Sequence, residues 1–184
     1  MDGLVGSEMC IRDSLLPVST YLKAEKMCKD EYDLVYPFGF GTQENQVKWQ
    51  KKVFASDELV SDFLNQNFDF SIFENHSQKD RAQWGHAQFF KRTSYIEGGM
   101  ENENFKAWGP EDEEKHYRFP KLGYNLGRVI DWVYHLEHSR GDDSERTNIY
   151  FHDNLKLMED IRSLSEEELK NYYNTQEYLK KYHD

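Results

Sequence analysis

Trp108-Gly109-Pro110-Glu111-Asp112-Glu113-Glu114 marks the start of a helix, and Gly127-Arg128-Val129-Ile130-Asp131-Trp132-Val133-Tyr134-His135-Leu136-Glu137 reads as the strand that follows it. Pro110 suits a first helical position, because its fixed φ is already helical and its missing N–H needs no partner there. Four acids then occupy the first turn, where the helix dipole favours anions. The helix is predicted to end near Tyr117 or Phe119, ahead of Pro120. The Val, Ile, Trp and Tyr content of residues 127–137 predicts a strand.

Upstream the alternation repeats. Pro17 opens a helix to about Lys29, with Val18, Tyr21, Leu22 and Glu25 at helical spacing. Residues 33–38 read as a short strand closed by Pro37, and Gly39 and Gly41 as a loop. Residues 43–73 read as largely helical, with Ser56 capping a turn that carries Leu59, Val60, Phe63 and Leu64. A polar surface loop over 74–83 leads to a strand-like stretch over 85–92. Thr93 or Ser94 then starts a brief helix that Gly98-Gly99 terminates, and a polar loop covers 100–107. A helical tail begins near residue 155. Within it, Ser165 and Glu168 have capping-box spacing, and Leu169, Tyr172, Tyr173 and Leu179 form one apolar stripe. Alternating strands and helices predict an α/β domain.

Composition narrows the partners. The formal charge is −11, and aromatics make up 15% of the residues. An acidic chain with no basic run is a poor nucleic-acid binder. The aromatic supply argues against disorder and for a core of Phe, Tyr and Trp. No segment is long and apolar enough to span a bilayer. Residues 9–14, Met9-Cys10-Ile11-Arg12-Asp13-Ser14, match a translation of the transposon end used in sequencing libraries. Residues 1–14 are therefore expected to be an adapter artefact, and 15–184 a domain truncated on its N-terminal side. Without Asp2, Glu8, Asp13 and Arg12 the charge is −9. Cys10 falls in that stretch, which leaves Cys28 alone. A lone cysteine fits a reducing compartment, and Cys28 reads as a small packed residue rather than a nucleophile.

The chemistry-bearing candidates lie around the opening stretch. A carboxylate at a helix N-terminus, Glu111 or Asp112, is held ionised by backbone N–H groups and can take a proton from a substrate hydroxyl. The same four acids also serve simply to favour the helix start. Trp108 offers a flat face for a sugar ring, and Gly109 lets a backbone approach closely. His135 and His138 are metal-ligand types, but residues three apart on a strand point to opposite faces. Both reach one ion only if the strand ends between them, so one ligand is preferred, His138; a packed histidine is the alternative. Arg140 suits a phosphate, or a surface ion pair with Glu137 or Asp142. Gly85-His86-Ala87-Gln88 is a weaker signal, and no Gly-rich phosphate loop is present.

Phe89-Phe90-Lys91-Arg92, Gly98-Gly99-Met100, residues 105–114, Arg118 and His138-Ser139-Arg140 together resemble the Gly-Trp-Gly-x-Glu-Asp region and His-Ser-Arg element of GT-A glycosyltransferases. The likeness is to β-1,4-galactosyltransferases, chondroitin-polymerase-like enzymes and bacterial capsule glycosyltransferases, over residues 15–150. It implies the C-terminal part of a Rossmann-like GT-A domain whose nucleotide-binding half is missing. It further implies inverting transfer of a hexose or N-acetylhexosamine from a UDP-sugar to a saccharide acceptor, in surface polysaccharide synthesis. By resemblance, Asp112 is the base, Glu111 and Trp108 bind acceptor, and Trp108 also packs on the donor sugar. His138 ligates Mn2+ (or Mg2+), and Arg140 helps hold the diphosphate. His135 stands where galactosyltransferases carry a methionine ligand, and Pro110 stands in place of their glycine. The family's Asp-x-Asp belongs just before Leu15-Leu16-Pro17, where this chain has Arg12-Asp13-Ser14. The implied location is cytoplasmic, peripheral at the inner membrane, and residues 15–184 alone are expected to show little transfer. A non-catalytic carbohydrate-binding or scaffold module is the alternative. A metal-dependent hydrolase using His135 and His138 is a weaker third reading.

Overall fold

The computed structural model describes residues 13–39, 50–80, 84–139, 141 and 146–182. Strand β1 (Ser14–Leu15) leads through Pro17, at the N-cap, into helix α1 (Val18–Asp30). Strands β2 (Leu34–Tyr36) and β3 (Gln50–Val53) precede helix α2 (Asp57–Asn65), whose cap is Ser56 accepting from the Leu59 N–H. A 3-10 segment (Phe70–His76) runs into β4 (Ser77–Asp80). Strand β5 (Phe89–Phe90), helix α3 (Arg92–Glu97) and helix α4 (Glu111–Lys121) follow. Strands β6 (Leu126–Arg128) and β7 (Val133–Leu136) precede α5 (Phe151–Ser163), α6 (Glu166–Asn174) and a last 3-10 segment (Glu177–Tyr182).

The strands form two mixed sheets, so the α/β class holds. The first has the order β1-β7-β3-β4, with β3 and β7 parallel and the outer pairs antiparallel. The second has the order β5-β2-β6, with β2 and β6 parallel. Leu34, Tyr36 and Phe38 pack with Phe90, with Phe119 of α4 and with Val133 of the first sheet, so one apolar cluster ties both sheets to α4. This holds the C-terminal half of α4 against both sheets. Among the described residues no helix is long and apolar enough to cross a membrane.

Several expectations need correction. The single strand over 127–137 is two strands in different sheets. Between them Asp131 accepts a hydrogen bond from Thr20 Oγ1 at 2.7 Å and bridges to Gly39, which turns the chain from one sheet to the other. Residues 50–53 are strand rather than helix: β3 lies beside β7, and buried Lys51 is offset by Glu74 and by the rings of Trp132 and Tyr134, each 5.1 Å from its ammonium. Residues 43–49 lie outside the described residues, as does Gly41. The polar run after Glu74 contains edge strand β4 rather than only loop. Helix α1 buries Thr20, Ala24 and Cys28, while Val18 and Leu22 are 71% and 61% exposed. Its inner face is set by Thr20 on Asp131 and Cys28 on the Phe89 carbonyl, not by its largest apolar residues. Helix α4 carries Pro120 in its last turn instead of stopping before it.

Others hold in part: the strand expected over 85–92 is only β5, the helix expected from Thr93 or Ser94 begins at Arg92, the tail expected from about 155 begins at Phe151, and Tyr172 of the expected stripe is only partly buried. Gly98 and Gly99 (φ +95°) end α3, and Ser165 with Glu168 forms a capping box on α6. Leu169, Tyr173 and Leu179 are buried as one stripe. Burial pushes the Cys28 thiol up to about 11, as suits an inert packed cysteine.

Candidate active site

The first turn of α4 meets the loop 84–88. Asp112 Oδ1 accepts from the Gln88 side chain at 2.9 Å and faces the Lys115 ammonium at 3.1 Å. No described residue hydrogen-bonds Oδ2, and a Cβ built on Gly85 would come within 3.1 Å of that oxygen. Gln88 is itself buried and also donates to the Trp84 carbonyl at 2.6 Å. The carboxylate is thus oriented through one oxygen and left open at the other, beneath a glycine. Loop 84–88 supplies that orientation, which its sequence signalled only weakly.

Glu111 is the unusual neighbour. Burial first, and then the charge of Asp112, push its carboxyl from 4.5 up to about 7. Its Oε2 is buried with no partner among the described residues. Two adjacent carboxyls with different environments form a natural proton-handling pair. Below them the helix is cross-braced by ions. Lys115, with a fully buried side chain, pairs with Glu101 at 2.6 and 2.8 Å as well as with Asp112. Burial alone lowers the Lys115 ammonium, but Asp112 and Glu101 outweigh it and hold it above the usual lysine range.

Trp108 sits two residues before Pro110 and stacks on Phe151, with centroids 5.7 Å apart and planes at 15°. Its carbonyl accepts from Asn148 at 2.9 Å, and buried Asn154 clasps both backbone groups of Lys106 at 3.1 and 2.7 Å. Ala107, between them, is held at φ 54°, an uncommon conformation for a residue with a Cβ. What approaches Gly109 closely is protein: a Cβ there would meet Asn154 Nδ2 at 2.6 Å. Gly109 therefore seats the Trp108 loop on α5, rather than opening the backbone to a ligand. The asparagines were missed in the sequence, because their partners are backbone groups 40 to 48 residues away.

The histidines converge with a third. Strand β7 ends at Leu136, between His135 and His138, and the two rings lie 5.7 Å apart. His86, at φ 75°, packs its ring 5.3 Å from that of His135 and meets Ser14 Oγ at 2.9 Å. Loop 84–88 thus touches Asp112 with Gly85 and Gln88 and the histidines with His86, which joins the two groups into one region. His135 Nδ1 is paired with Glu137 at 2.9 Å, and His138 Nε2 with Asp13 at 3.2 Å. Asp13 and Ser14 here belong to the adapter-like stretch. Among the described residues no three metal-ligating side chains are grouped to hold one ion. Arg140 lies outside the described residues.

Three surface cavities of about 440–540 Å³ line other faces, and none of the three touches Asp112, Trp108 or His138. The carboxylate geometry, not cavity volume, marks the candidate site. No known family model matches the chain, and no curated protein matches it significantly.

Proposed function

We propose that this chain carries the acceptor side of a GT-A glycosyltransferase that moves a hexose or N-acetylhexosamine from a UDP-sugar to a saccharide hydroxyl with inversion, in surface polysaccharide synthesis. The observation that carries this reading is Asp112, fixed through Oδ1 by Gln88 and Lys115 with Oδ2 open beside Gly85. A carboxylate held this way takes the proton of an acceptor hydroxyl as that oxygen attacks the anomeric carbon and the nucleoside diphosphate leaves. Inversion follows from a single in-line displacement, which needs one base and no second nucleophile. Glu111 hydrogen-bonds acceptor hydroxyls, and the Trp108–Phe151 stack offers an apolar face to a pyranose ring. Arg140 would hold the diphosphate by paired N–H bonds. The steps above use only this chain's side chains.

The Trp108–Phe151 stack serves a second reading equally, a carbohydrate-binding module that transfers nothing. One experiment separates the two: transfer from a panel of UDP-sugars to oligosaccharide acceptors, by the chain with its full upstream coding sequence. The transferase reading expects donor consumption that depends on acceptor and falls about 10²–10⁴-fold in Asp112→Asn. Wild-type turnover in that variant removes Asp112 as the base. Saccharide binding with no donor consumption selects the module, and consumption without acceptor selects a hydrolase.

A further inference from the structure

A surface cavity lies behind the Trp108 loop, apart from Asp112. The first turn of α5, the loop before Trp108 and the end of α6 enclose a cavity of about 460 Å³ lined by Asn104, Lys106, Tyr150, Asp153, Asn154 and Tyr172. Its volume falls in the range of small-molecule sites. Two phenol rings offer apolar faces. The Lys106 ammonium lies 5.5 Å from the Tyr150 ring centroid. Neither Lys106 nor the exposed carboxylate of Asp153 has an ion pair among the described residues. One wall is already ordered: Asn104 Nδ2 bonds Gln176 Oε1 at 2.9 Å and the Tyr172 hydroxyl at 3.2 Å, and Asn154 is 2% exposed with its amide locked onto Lys106. A ligand therefore meets a preorganised surface, which lowers the entropic cost of binding.

We propose that this cavity binds a saccharide. A pyranose presents an apolar face of C–H groups and a rim of hydroxyls that both donate and accept. Tyrosine rings, the Lys106 ammonium beside one of them and a carboxylate with no ion pair match those two features together. A phosphorylated ligand matches less well, since Asp153 already supplies the negative charge that the α5 N-terminus favours. The binding does not depend on the transferase reading, because no residue of the cavity touches Asp112; Asn154 meets that site only through the backbone of the Trp108 loop.

The test is binding of the chain to an array of neutral and acidic oligosaccharides, followed by calorimetric titration of the glycans retained. Tyr150→Ala is expected to weaken them about tenfold. Lys106→Ala is expected to weaken them about fivefold, and its exposed position leaves folding intact. Asp112→Asn leaves these affinities unchanged. An array with no retained glycan overturns the proposal, as does binding that survives both cavity variants. Binding that falls as much in Asp112→Asn as in the cavity variants also overturns it, by placing the saccharide in the candidate active site. Failure of sugar transfer, by contrast, leaves this outcome untouched.

Discussion

Four consecutive acids open α4, and they meet two kinds of surroundings. Asp112 faces Gly85 and Gln88 of the loop 84–88 and lies beside Glu111, whereas Glu114, one helical turn on from Pro110, is fully buried against Arg118. Glu114 Oε1 lies 3.1 Å from Arg118 Nε and accepts from the Tyr173 hydroxyl at 2.7 Å. Arg118 donates to the carbonyls of Gly98 and Met100 and stacks 4.0 Å from the Tyr173 ring centroid. The letters are the same type; helix phase decides that one end is open and the other is a brace between α3, α4 and α6. The brace should give the largest effect. Arg118→Met strands a buried carboxyl and two carbonyls, at a cost of about 3–5 kcal/mol in urea unfolding. The double variant Glu114→Gln/Arg118→Met is expected to recover the charge part of that loss and not the carbonyl part. A single variant as stable as wild type would mean that Glu114 folds protonated without needing its arginine.

Asp112 belongs to both regions, because its open oxygen faces the loop while its other oxygen supports Lys115. Asp112→Asn is expected to abolish most transfer and also to cost about 1–2 kcal/mol of stability, since buried Lys115 then keeps only Glu101 as a carboxylate partner. Asp112→Asn combined with Lys115→Met separates the roles: stability returns and transfer does not. Recovery of both would assign Asp112 to the brace alone.

Glu111 sharpens the contrast through pH. Its carboxyl titrates near 7 in the folded chain, against 4.5 ordinarily. The folded state therefore holds a proton that the unfolded state has released, and stability falls as pH rises from about 4.5 to about 7. The full cost, about 3 kcal/mol, is present above pH 7. Glu111→Gln carries no such charge, so its stability advantage over wild type should grow by that amount between pH 4.5 and pH 8. Parallel pH profiles for the two proteins would show that Glu111 is solvated after all.

How much of this was legible in the sequence follows from where each signal is written. Local signals were readable: Pro17 and Pro110 at helix starts, Ser56 as a cap, Ser165 with Glu168, and Gly98-Gly99 as a stop. They depend on a few neighbouring residues. The condition for His135 and His138 to meet, a strand ending between them, was also readable and holds. Signals written across the chain were not. Lys51 reads as polar helix until Trp132 and Tyr134 pack under it, and Asp131 reads as mid-strand until Thr20 reaches it. Gly109 looked like an opening for ligand because nothing nearby announces Asn154. Gln88, Gly85 and His86 join the site from a stretch that reads as the start of a strand over 85–92, of which only residues 89–90 are strand.

Glu113 completes the four and should give the smallest effect. It points away from both regions to Arg162 of α5, whose guanidinium also lies 5.7 Å from the Tyr117 ring centroid. The two side chains are 34% and 45% exposed, so water screens their attraction and ordering two long chains offsets much of what remains. Glu113→Gln is expected to lower stability by no more than about 0.5 kcal/mol, with the difference vanishing in 1 M salt, where charges are screened within about 3 Å. A loss as large as that of Arg118→Met would place Glu113 within the brace and erase the distinction between the acids. A loss of transfer without a loss of stability would instead draw it into the open end, beside Asp112.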